Sequence, residues 1–216
     1  MNKKRILIAG LLLAMFSAVG TGLVAFTHQQ TKERIAANER EALLRSLTVL
    51  VPASSIDNDI ITDRTTVNSP EMLGGDAIDV YLGRKGVDPV AAVFASVVPD
   101  GYSGPIKLLV AVRVDGTLGG VRVVSHKETP GLGDKVEEKR DDWIYSFNDK
   151  SLGNPDISEW KVKRDGGIFD QFAGATITPR SIVNAVKNTL IYFSENGRAL
   201  FSKKSTPQKP QEQKNG

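Results

Sequence analysis

The sequence predicts an α+β protein: an N-terminal transmembrane helix followed by one domain with a mostly antiparallel sheet and packed helices. The run Ile6–Phe26 is uncharged and mostly apolar. Residues 77–124 hold short β-branched runs separated by turn residues, and Pro179–Ser194 carries apolar residues at helical spacing. The length of 216 residues fits one membrane segment and one domain of ordinary size.

The N-terminal apolar run is long enough to cross a bilayer. Ile6–Phe26 spans roughly 31 Å as a helix, which matches the hydrocarbon core. A cleaved secretory signal is the alternative, with Ala18-Val19-Gly20 as its cleavage site, although the apolar region of such signals is usually about 7–15 residues. Lys3-Lys4-Arg5 precedes the run, so the positive-inside bias predicts that residues 1–5 are cytoplasmic and that the bulk of the chain lies outside the cytoplasm.

The remaining chain divides into three predicted parts. Residues 27–50 continue the helical pattern and form a linker that packs on the domain through its apolar side, made up of Ile35, Ala36, Leu43, Leu44 and Leu47. Residues 51–203 form the domain, of which residues 51–77 are expected to be loop. Residues 204–216 have no apolar side chains to bury and are expected to be a disordered tail. The positive charge lies at the two chain ends and the part between them is slightly acidic, so nucleic acid is not a predicted partner.

Within the domain, the predicted strands are Ala77–Leu82, Val90–Val98, Ile106–Val114 and Gly119–Val124. Asp115-Gly116 between the last two strands predicts a hairpin. Residues 134–147 show helical spacing, and Trp160–Arg164 alternates like a strand. The last helix is predicted over Pro179–Ser194, ending at Asn196-Gly197.

Several kinds of chemistry are excluded or disfavoured by composition. The chain has no Cys, so disulfides, Cys-ligated metals and thiol chemistry are excluded. The two histidines, His28 and His126, are far apart in the sequence, and no metal site is predicted. There is no G-x-G-x-x-G opening a βαβ unit and no P-loop. No acid–base pair or activated nucleophile argues for independent turnover of a substrate.

One segment with chemical potential is SHKETPGLGDKV, residues 125–136. Pro130-Gly131 and Gly133 predict a tight turn with exposed backbone N–H groups, which lets a flat ring or an anion approach the main chain. The simpler alternative is a surface turn that caps a helix. Taken alone, Glu128 is expected to be solvated and His126 to be a strand-end residue.

The second segment is DQFAGATITPRS, residues 170–181. Pro179 suits the first position of a helix, and Thr178 before it suits the N-cap. Thr176 then lies just outside the helix N-terminus, where free N–H groups and the helix dipole favour a phosphate. Gly174-Ala175 leaves the approach unobstructed. The simpler alternative is an ordinary helix start.

Together, the hairpin, E-T-P-G-L-G and D-x-x-x-G-A-T-x-T at a helix start resemble the FMN-binding domains of Rnf and Na⁺-translocating NADH:quinone oxidoreductase complexes. The resemblance covers roughly residues 78–195, and the layout looks most like the G-subunit family of Rnf complexes. The C-type subunit of the quinone reductase is similar but usually longer. In this family, FMN phosphate esterifies the Thr that ends G-A-T, which implies covalent FMN on Thr176 through a phosphodiester. A separate flavin transferase makes that bond with FAD as donor.

The resemblance also implies the rest of the cofactor site. Asp170 matches the acidic residue that begins the motif, and Ala173 departs from the family's usual Ser or Thr. The hypothesis that Asp170 positions a metal or accepts a proton during transfer rests on its proximity to Thr176 in the sequence and not on the resemblance. Thr178 and Ser181 could donate hydrogen bonds to the phosphate. The implied cofactor-binding residues besides Thr176 are Glu128, Thr129, Leu132, Gly133, Asp170, Gly174, Ala175 and Thr178.

The predicted function is that of a membrane-anchored subunit that relays electrons through this FMN within an ion-translocating redox complex. The resemblance implies a bacterial inner membrane location with a cytoplasmic N-terminus and a periplasmic domain. The implied partners are the other membrane and iron–sulfur or flavin subunits of the Rnf complex, and the flavin transferase. The alternatives are an anchored binding or scaffold module without cofactor and an autonomous flavin reductase.

Overall fold

The computed structural model of the protein describes residues 3–202, except the side chain of Glu33. The chain divides into two compact units with the boundary between Arg45 and Ser46. The predicted tail, residues 204–216, and residue 203 of the predicted domain lie outside the described residues, as do the first two residues of the predicted basic end.

The first element is the helix α1, Lys3–Leu50. Its segment Lys3–Lys32 is long and apolar enough to cross a membrane, and an 18-residue window within it has a mean hydropathy of 2.2. The hydroxyl of Thr27 donates to the carbonyl of Leu23 at 2.8 Å, so this polar group is satisfied within the helix itself. The predicted N-terminal apolar helix is confirmed.

The last turn of α1 belongs to the second unit. Leu47 is fully buried there, as predicted, and Leu50 is 4% exposed, whereas Ile35 and Leu44 of the predicted apolar side are 46% and 44% exposed. Leu50 packs on Gly119 and Gly120, because a Cβ on Gly119 would lie 3.2 Å from the Leu50 carbonyl oxygen and one on Gly120 would lie 3.0 Å from Leu50 Cδ2. These glycines therefore leave the space into which the end of α1 fits.

The centre of the second unit is a six-stranded sheet whose described pairings are all antiparallel. The order runs β1-β2-β3-β5; β5 also pairs with β4 near its start and with β6. A short helix, α2, joins β1 to β2, and Gly116, with φ of 84°, turns the predicted hairpin between β5 and β6. The bounds are β1 Arg64–Ser69, α2 Pro70–Leu73, β2 Gly75–Lys85, β3 Asp88–Phe94, β4 Val97–Val98, β5 Ile106–Arg113 and β6 Leu118–Ser125.

The prediction of loop throughout residues 51–77 is wrong, because β1 and α2 lie within this range. β1 is polar in sequence and has no apolar run to mark it. Thr65 and Val67 are its buried residues. Its outward side chains bind the neighbouring strand, where Asp79 accepts from Arg64 at 3.2 Å and from Thr66 at 2.9 Å. The strand is thus stabilised by cross-strand polar contacts that apolar patterning does not register.

The predicted single helix over residues 134–147 is also wrong. The structure has two 3₁₀ helices, Gly133–Val136 and Asp142–Phe147, separated by a segment that ends in an extended residue, Asp141, with φ of −159°. The carboxylate of Asp141 accepts the backbone N–H of Trp143 at 2.9 Å and so caps the second 3₁₀ helix. This local side-chain bond competes with the continuous helix that the apolar spacing suggested.

Residues 160–164 do not form the predicted strand, although the predicted alternation of burial is present. Trp160 and Val162 are fully buried, and Val162 forms one isolated bridge with Phe169. Trp160 and Phe169 join an aromatic cluster with Phe147, in which the Phe147 and Phe169 rings stack at 4.8 Å. The segment is held by ring packing, so it needs no sheet partner.

The helix α3, Ile177–Ser202, packs on the sheet. It begins two residues earlier than predicted and continues past Asn196-Gly197. Gly197 is buried inside the helix, where a Cβ would lie 3.0 Å from the ring of Phe193. This glycine therefore serves close packing and does not end the helix. The predicted apolar stripe is buried as expected, with Ile182, Val183, Val186, Leu190 and Phe193 in the core.

Candidate functional site

The two segments with chemical potential lie side by side. A Cβ on Gly174 would be 3.5 Å from Leu132 Cδ2. A Cβ on Gly133 would be 2.8 Å from Glu128 Oε2 and 3.2 Å from Thr178 Oγ1, so this position has no room for a side chain. The ETPGLG loop is therefore pressed directly against the start of α3.

Glu128 holds this junction together. Its side chain is buried, its Oε2 accepts the Thr178 hydroxyl at 2.5 Å, and its Oε1 accepts the backbone N–H of Ser103 at 3.0 Å. The expectation that Glu128 taken alone is solvated is wrong. Both of its oxygens serve charge-assisted hydrogen bonds that join the ETPGLG loop, the turn before β5 and α3.

His126 orients the main chain at Glu128. Its Nδ1 accepts the backbone N–H of Glu128 at 2.9 Å, and its Nε2 lies 2.8 Å from Glu137 Oε1. Since Nδ1 is an acceptor, the proton is on Nε2 and is donated to Glu137. His126 follows directly after β6, which confirms the predicted strand-end position.

Thr178 does not cap the helix, contrary to the prediction. α3 begins at Ile177, and the carbonyl of Thr176 accepts the N–H of Arg180 at 3.3 Å, which places Thr176 at the N-cap position. Pro179 is then the third helical residue, which is tolerated because N–H groups in the first turn have no partner within the helix. Thr178 is fully buried and bonded to Glu128 instead.

The three hydroxyls at the start of α3 differ in their surroundings. The Ser181 hydroxyl donates to the carbonyl of Asp100 at 3.0 Å, and that of Thr178 donates to Glu128. Thr176 is partly exposed, and its hydroxyl has no hydrogen-bond partner within residues 3–202. Gly174, with φ of 80°, turns the chain just before it. Thr176 therefore presents the unengaged hydroxyl at this site.

Apolar side chains are exposed in the segments that converge on Thr176. Tyr102 is 68% exposed, and Leu132 and Ile177 are each 43% exposed. Tyr102 lies next to Ser103, which is tied to Glu128, while Leu132 approaches Gly174 and Ile177 follows Thr176 directly. A flat apolar group bonded near Thr176 would find solvent-exposed apolar surface to cover.

Asp170 and Thr129 lie at the edge of this site and are exposed. The Asp170 carboxylate pairs with Lys163 Nζ at 2.6 Å, while its main-chain carbonyl accepts Trp143 Nε1 at 2.8 Å. The carbonyl of Thr129 accepts the N–H groups of Leu132 and Gly133, each at 3.1 Å, and so closes the turn. Within residues 3–202, no cluster of three His, Asp or Glu side chains is arranged to hold a metal ion.

Two cavities border the residues that precede and follow Thr176, and Thr176 lines neither of them. One, of about 470 Å³, lies beside Asp170, Trp143 and Phe172. The other, of about 280 Å³, is lined by Lys161, Asp165, Arg180 and Asn184. A larger apolar cavity of about 710 Å³ lies against the C-terminal half of α3, which is more than three helical turns from Thr176.

The ion pair between Arg180 and Asp165 is not predicted by the sequence patterns. Arg180 donates through Nε and Nη2 to the two carboxylate oxygens of Asp165, at 2.6 and 2.9 Å. These hydrogen bonds hold the pKa of Asp165 below its ordinary value, with smaller contributions from the charges of Arg164 and Lys161. The signal in the sequence is the position of Arg180, four residues after the N-cap residue Thr176.

Comparisons with known proteins agree with this arrangement. Residues 101–191, which include the ETPGLG loop, Thr176 and Arg180, match the model of the FMN-binding domain, and residues 1–50 match the RnfG N-terminal region. The G subunit of an ion-translocating oxidoreductase complex from Pseudoalteromonas atlantica is 46% identical over 194 residues, covering 89% of this chain and 90% of the relative.

Two further relatives carry the same name. One from Pseudomonas aeruginosa is 47% identical over 202 residues, covering 93% of this chain and 94% of the relative. One from Vibrio atlanticus is 43% identical over 193 residues, covering 89% of this chain and 92% of the relative. With these identities extending over nearly the whole chain, the protein belongs to the family of G subunits of ion-translocating oxidoreductase complexes.

Proposed function

We propose that the protein is a membrane-anchored, electron-carrying subunit of an ion-translocating redox complex and carries FMN bonded covalently to Thr176. The match to the FMN-binding domain and the names of the relatives support the electron-transport role. The observation that carries the attachment site is the contrast among the three hydroxyls. Thr178 and Ser181 are buried and engaged, whereas Thr176 is partly exposed and has no partner within the described residues.

The surroundings of Thr176 fit a phosphate group. Thr176 precedes a helix of 26 residues, whose first N–H groups have no acceptor within the helix and whose dipole favours negative charge. Gly174, just before it, carries no side chain that would obstruct the approach. An ester bond at this hydroxyl would thus place its phosphate where a helix already favours an anion.

The surroundings also fit a flavin ring. When bound, FMN supplies the electron-transfer chemistry, and the protein has to position the ring and tune its environment. Leu132 and Thr129 are the exposed members of the ETPGLG loop that would contact it, together with Gly174-Ala175. Glu128 and Gly133 are buried beneath the loop and hold it on α3. Asp170 borders the site.

The proposed location is supported by the first unit of the chain. The segment Lys3–Lys32 would anchor the protein in a bacterial inner membrane, with the basic end in the cytoplasm and the flavin domain in the periplasm. A covalent bond would prevent loss of flavin from that compartment. The partners are the other subunits of the complex, and a flavin transferase that uses FAD as donor.

The attachment is tested by co-expressing the full chain with a flavin transferase. We expect a fluorescent band on a denaturing gel and an intact mass increased by one FMN minus one water. Thr176→Ala should lose both signals, while Thr62→Ala, which removes an exposed threonine hydroxyl outside this site, should keep them. A dark wild-type band with unmodified mass would instead favour the scaffold module without cofactor.

The orientation is tested with introduced cysteines, because the chain has none of its own. Lys139→Cys lies on the exposed surface of the second unit. In spheroplasts, a membrane-impermeant thiol reagent should label this variant without lysis and should label Asn2→Cys only after lysis. The reverse pattern would contradict a periplasmic domain.

A further inference from the structure

We propose that Arg180, held in place by Asp165, is the residue that binds the phosphate group bonded to Thr176. This inference rests on the proposed function. Arg180 lies within the segment DQFAGATITPRS, but it is not one of the predicted cofactor-binding residues. The group that Arg180 would bind is a phosphate oxyanion at the Thr176 hydroxyl, and it has two possible sources. It arises either from the flavin dinucleotide during transfer or from the finished phosphodiester.

The position of Arg180 on α3 brings it next to Thr176. Residues four apart lie on the same helix face, and their main chains are joined here by the bond from the Arg180 N–H to the Thr176 carbonyl. Helical side chains lean toward the N-terminus, which favours a direction for the Arg180 side chain toward the turn that Thr176 begins. Asn184 follows one turn later on this face and lines the adjoining cavity.

Arg180 is prepared for an anion by its bond to Asp165. The two hydrogen bonds to Asp165 engage two of the five guanidinium N–H donors, which leaves three for another acceptor. The Arg180 side chain is 41% exposed, yet its orientation is set by this two-point contact. An arginine that is already oriented loses less conformational entropy when it binds a phosphate.

The local charge favours a further anion. Lys161 and Arg164 act electrostatically on Asp165 along with Arg180, so one carboxylate faces three cations. Neither Lys161 nor Arg164 forms a salt bridge with another described residue, whereas Lys163 is paired with Asp170. The polar cavity of about 280 Å³ adjoins this cluster. An added phosphate would offset the excess positive charge.

Arg180 would bind the phosphate during its transfer from FAD to Thr176. The Thr176 Oγ attacks the flavin-side phosphorus of FAD, the new Oγ–P bond forms and the P–O bond to AMP breaks. AMP leaves, and the hydroxyl proton passes to a base of the transferase or to water. Charge on the phosphoryl oxygens increases at this step, and one negative charge remains on the phosphodiester. Arg180 can donate hydrogen bonds in both situations.

The test compares variants of the full chain with purified flavin transferase and FAD. Arg180→Gln removes the cation, Arg180→Lys keeps the charge without the planar fork, and Asp165→Asn frees the guanidinium. Lys187→Gln, on the same helix, is the matched control for charge. The initial rate of flavin incorporation reports on the donor phosphate, and the ³¹P chemical shift of the labelled protein reports on the attached one. Thermal unfolding checks that each variant is folded.

We expect Arg180→Gln to lower the incorporation rate by roughly tenfold to a hundredfold, as for a lost charge-assisted hydrogen bond. Arg180→Lys should lower the incorporation rate by an intermediate factor, and Asp165→Asn should lower it less. Lys187→Gln should leave the rate unchanged. A changed rate alone assigns Arg180 to the donor phosphate, and a changed ³¹P shift alone assigns it to the attached phosphate. Wild-type rate and shift in folded Arg180→Gln would overturn the inference. Failure of the proposed function is distinct, because then wild-type protein itself takes up no flavin.

Discussion

The first turn of α3 has an inward side, whose hydroxyl groups are hydrogen-bonded to other parts of the protein, and an outward side, whose hydroxyl group has no such bond in the described part of the chain. On the inward side, the hydroxyls of Thr178 and Ser181 bind Glu128 and the carbonyl of Asp100. On the outward side, the Thr176 hydroxyl has no partner within residues 3–202, and Arg180 keeps donors free beyond its contact with Asp165.

This contrast explains why one short stretch contains so many hydroxyl residues. The inward hydroxyls fasten the helix start to two loops, and the outward one remains available. A site positioned by a rigid helix needs such support, because small displacements weaken directed hydrogen bonds. The inward contacts should therefore govern stability, and the outward residues should govern flavin attachment with little effect on stability.

The largest effect on stability is expected from Glu128→Ala. The change leaves the buried Thr178 hydroxyl and the Ser103 N–H without their acceptor and creates a cavity. We expect the free energy of unfolding to fall by about 2–4 kcal/mol. Denaturant unfolding followed by tryptophan fluorescence measures this directly, because Trp143 and Trp160 are both buried in the second unit. A loss below about 0.5 kcal/mol would mean that Glu128 does not hold the junction.

A matched pair of threonine substitutions separates the two sides. Thr178→Val conserves shape but leaves Glu128 Oε2 without its donor, so we expect a loss of about 1–3 kcal/mol in stability. Thr176→Val removes a hydroxyl that makes no described hydrogen bond, so we expect a change within about 0.5 kcal/mol. The same unfolding experiment measures both variants. Equal losses of stability would contradict the distinction between the inward and the outward side of the first turn of α3.

The smallest effect concerns the acid titration of Asp165. Arg180 depresses the pKa of this carboxyl, so the ion pair contributes stability above the unfolded value of 3.8 and loses it as pH falls through the lower folded value. The pair is solvent-exposed, so this contribution is small. In an NMR titration, Arg180→Gln should raise the pKa of Asp165 toward 3.8. An unchanged midpoint would show that Arg180 does not hold Asp165 in solution.

Residue patterning predicted the elements that bury an apolar stripe, and it missed those stabilised by individual polar bonds. The apolar spacing in α3 and the Asp115-Gly116 turn were sufficient to predict a helix and a hairpin. Residue patterning does not predict β1, because its side-chain contacts run from Arg64 and Thr66 to Asp79, which is distant in sequence.

The candidate site shows the same limit. The motif predicts Thr176 at a helix start, yet it assigns the cap to Thr178, because Pro179 suits the first helical position. The bond from Thr178 to Glu128 joins residues fifty positions apart, so no local pattern reveals it. The pairing of Arg180 with Asp165 likewise depends on how residues 159–169 fold back toward α3.

The central claim is that the outward hydroxyl of Thr176 bears the flavin, and tandem mass spectrometry of the flavinylated protein tests it most directly. Cleavage after Arg164 and Arg180 releases a peptide, residues 165–180, whose hydroxyl residues are Thr176 and Thr178. We predict that this peptide carries one FMN minus one water and that its fragments place the added mass on Thr176. Added mass on Thr178, or on a different peptide, would contradict this assignment.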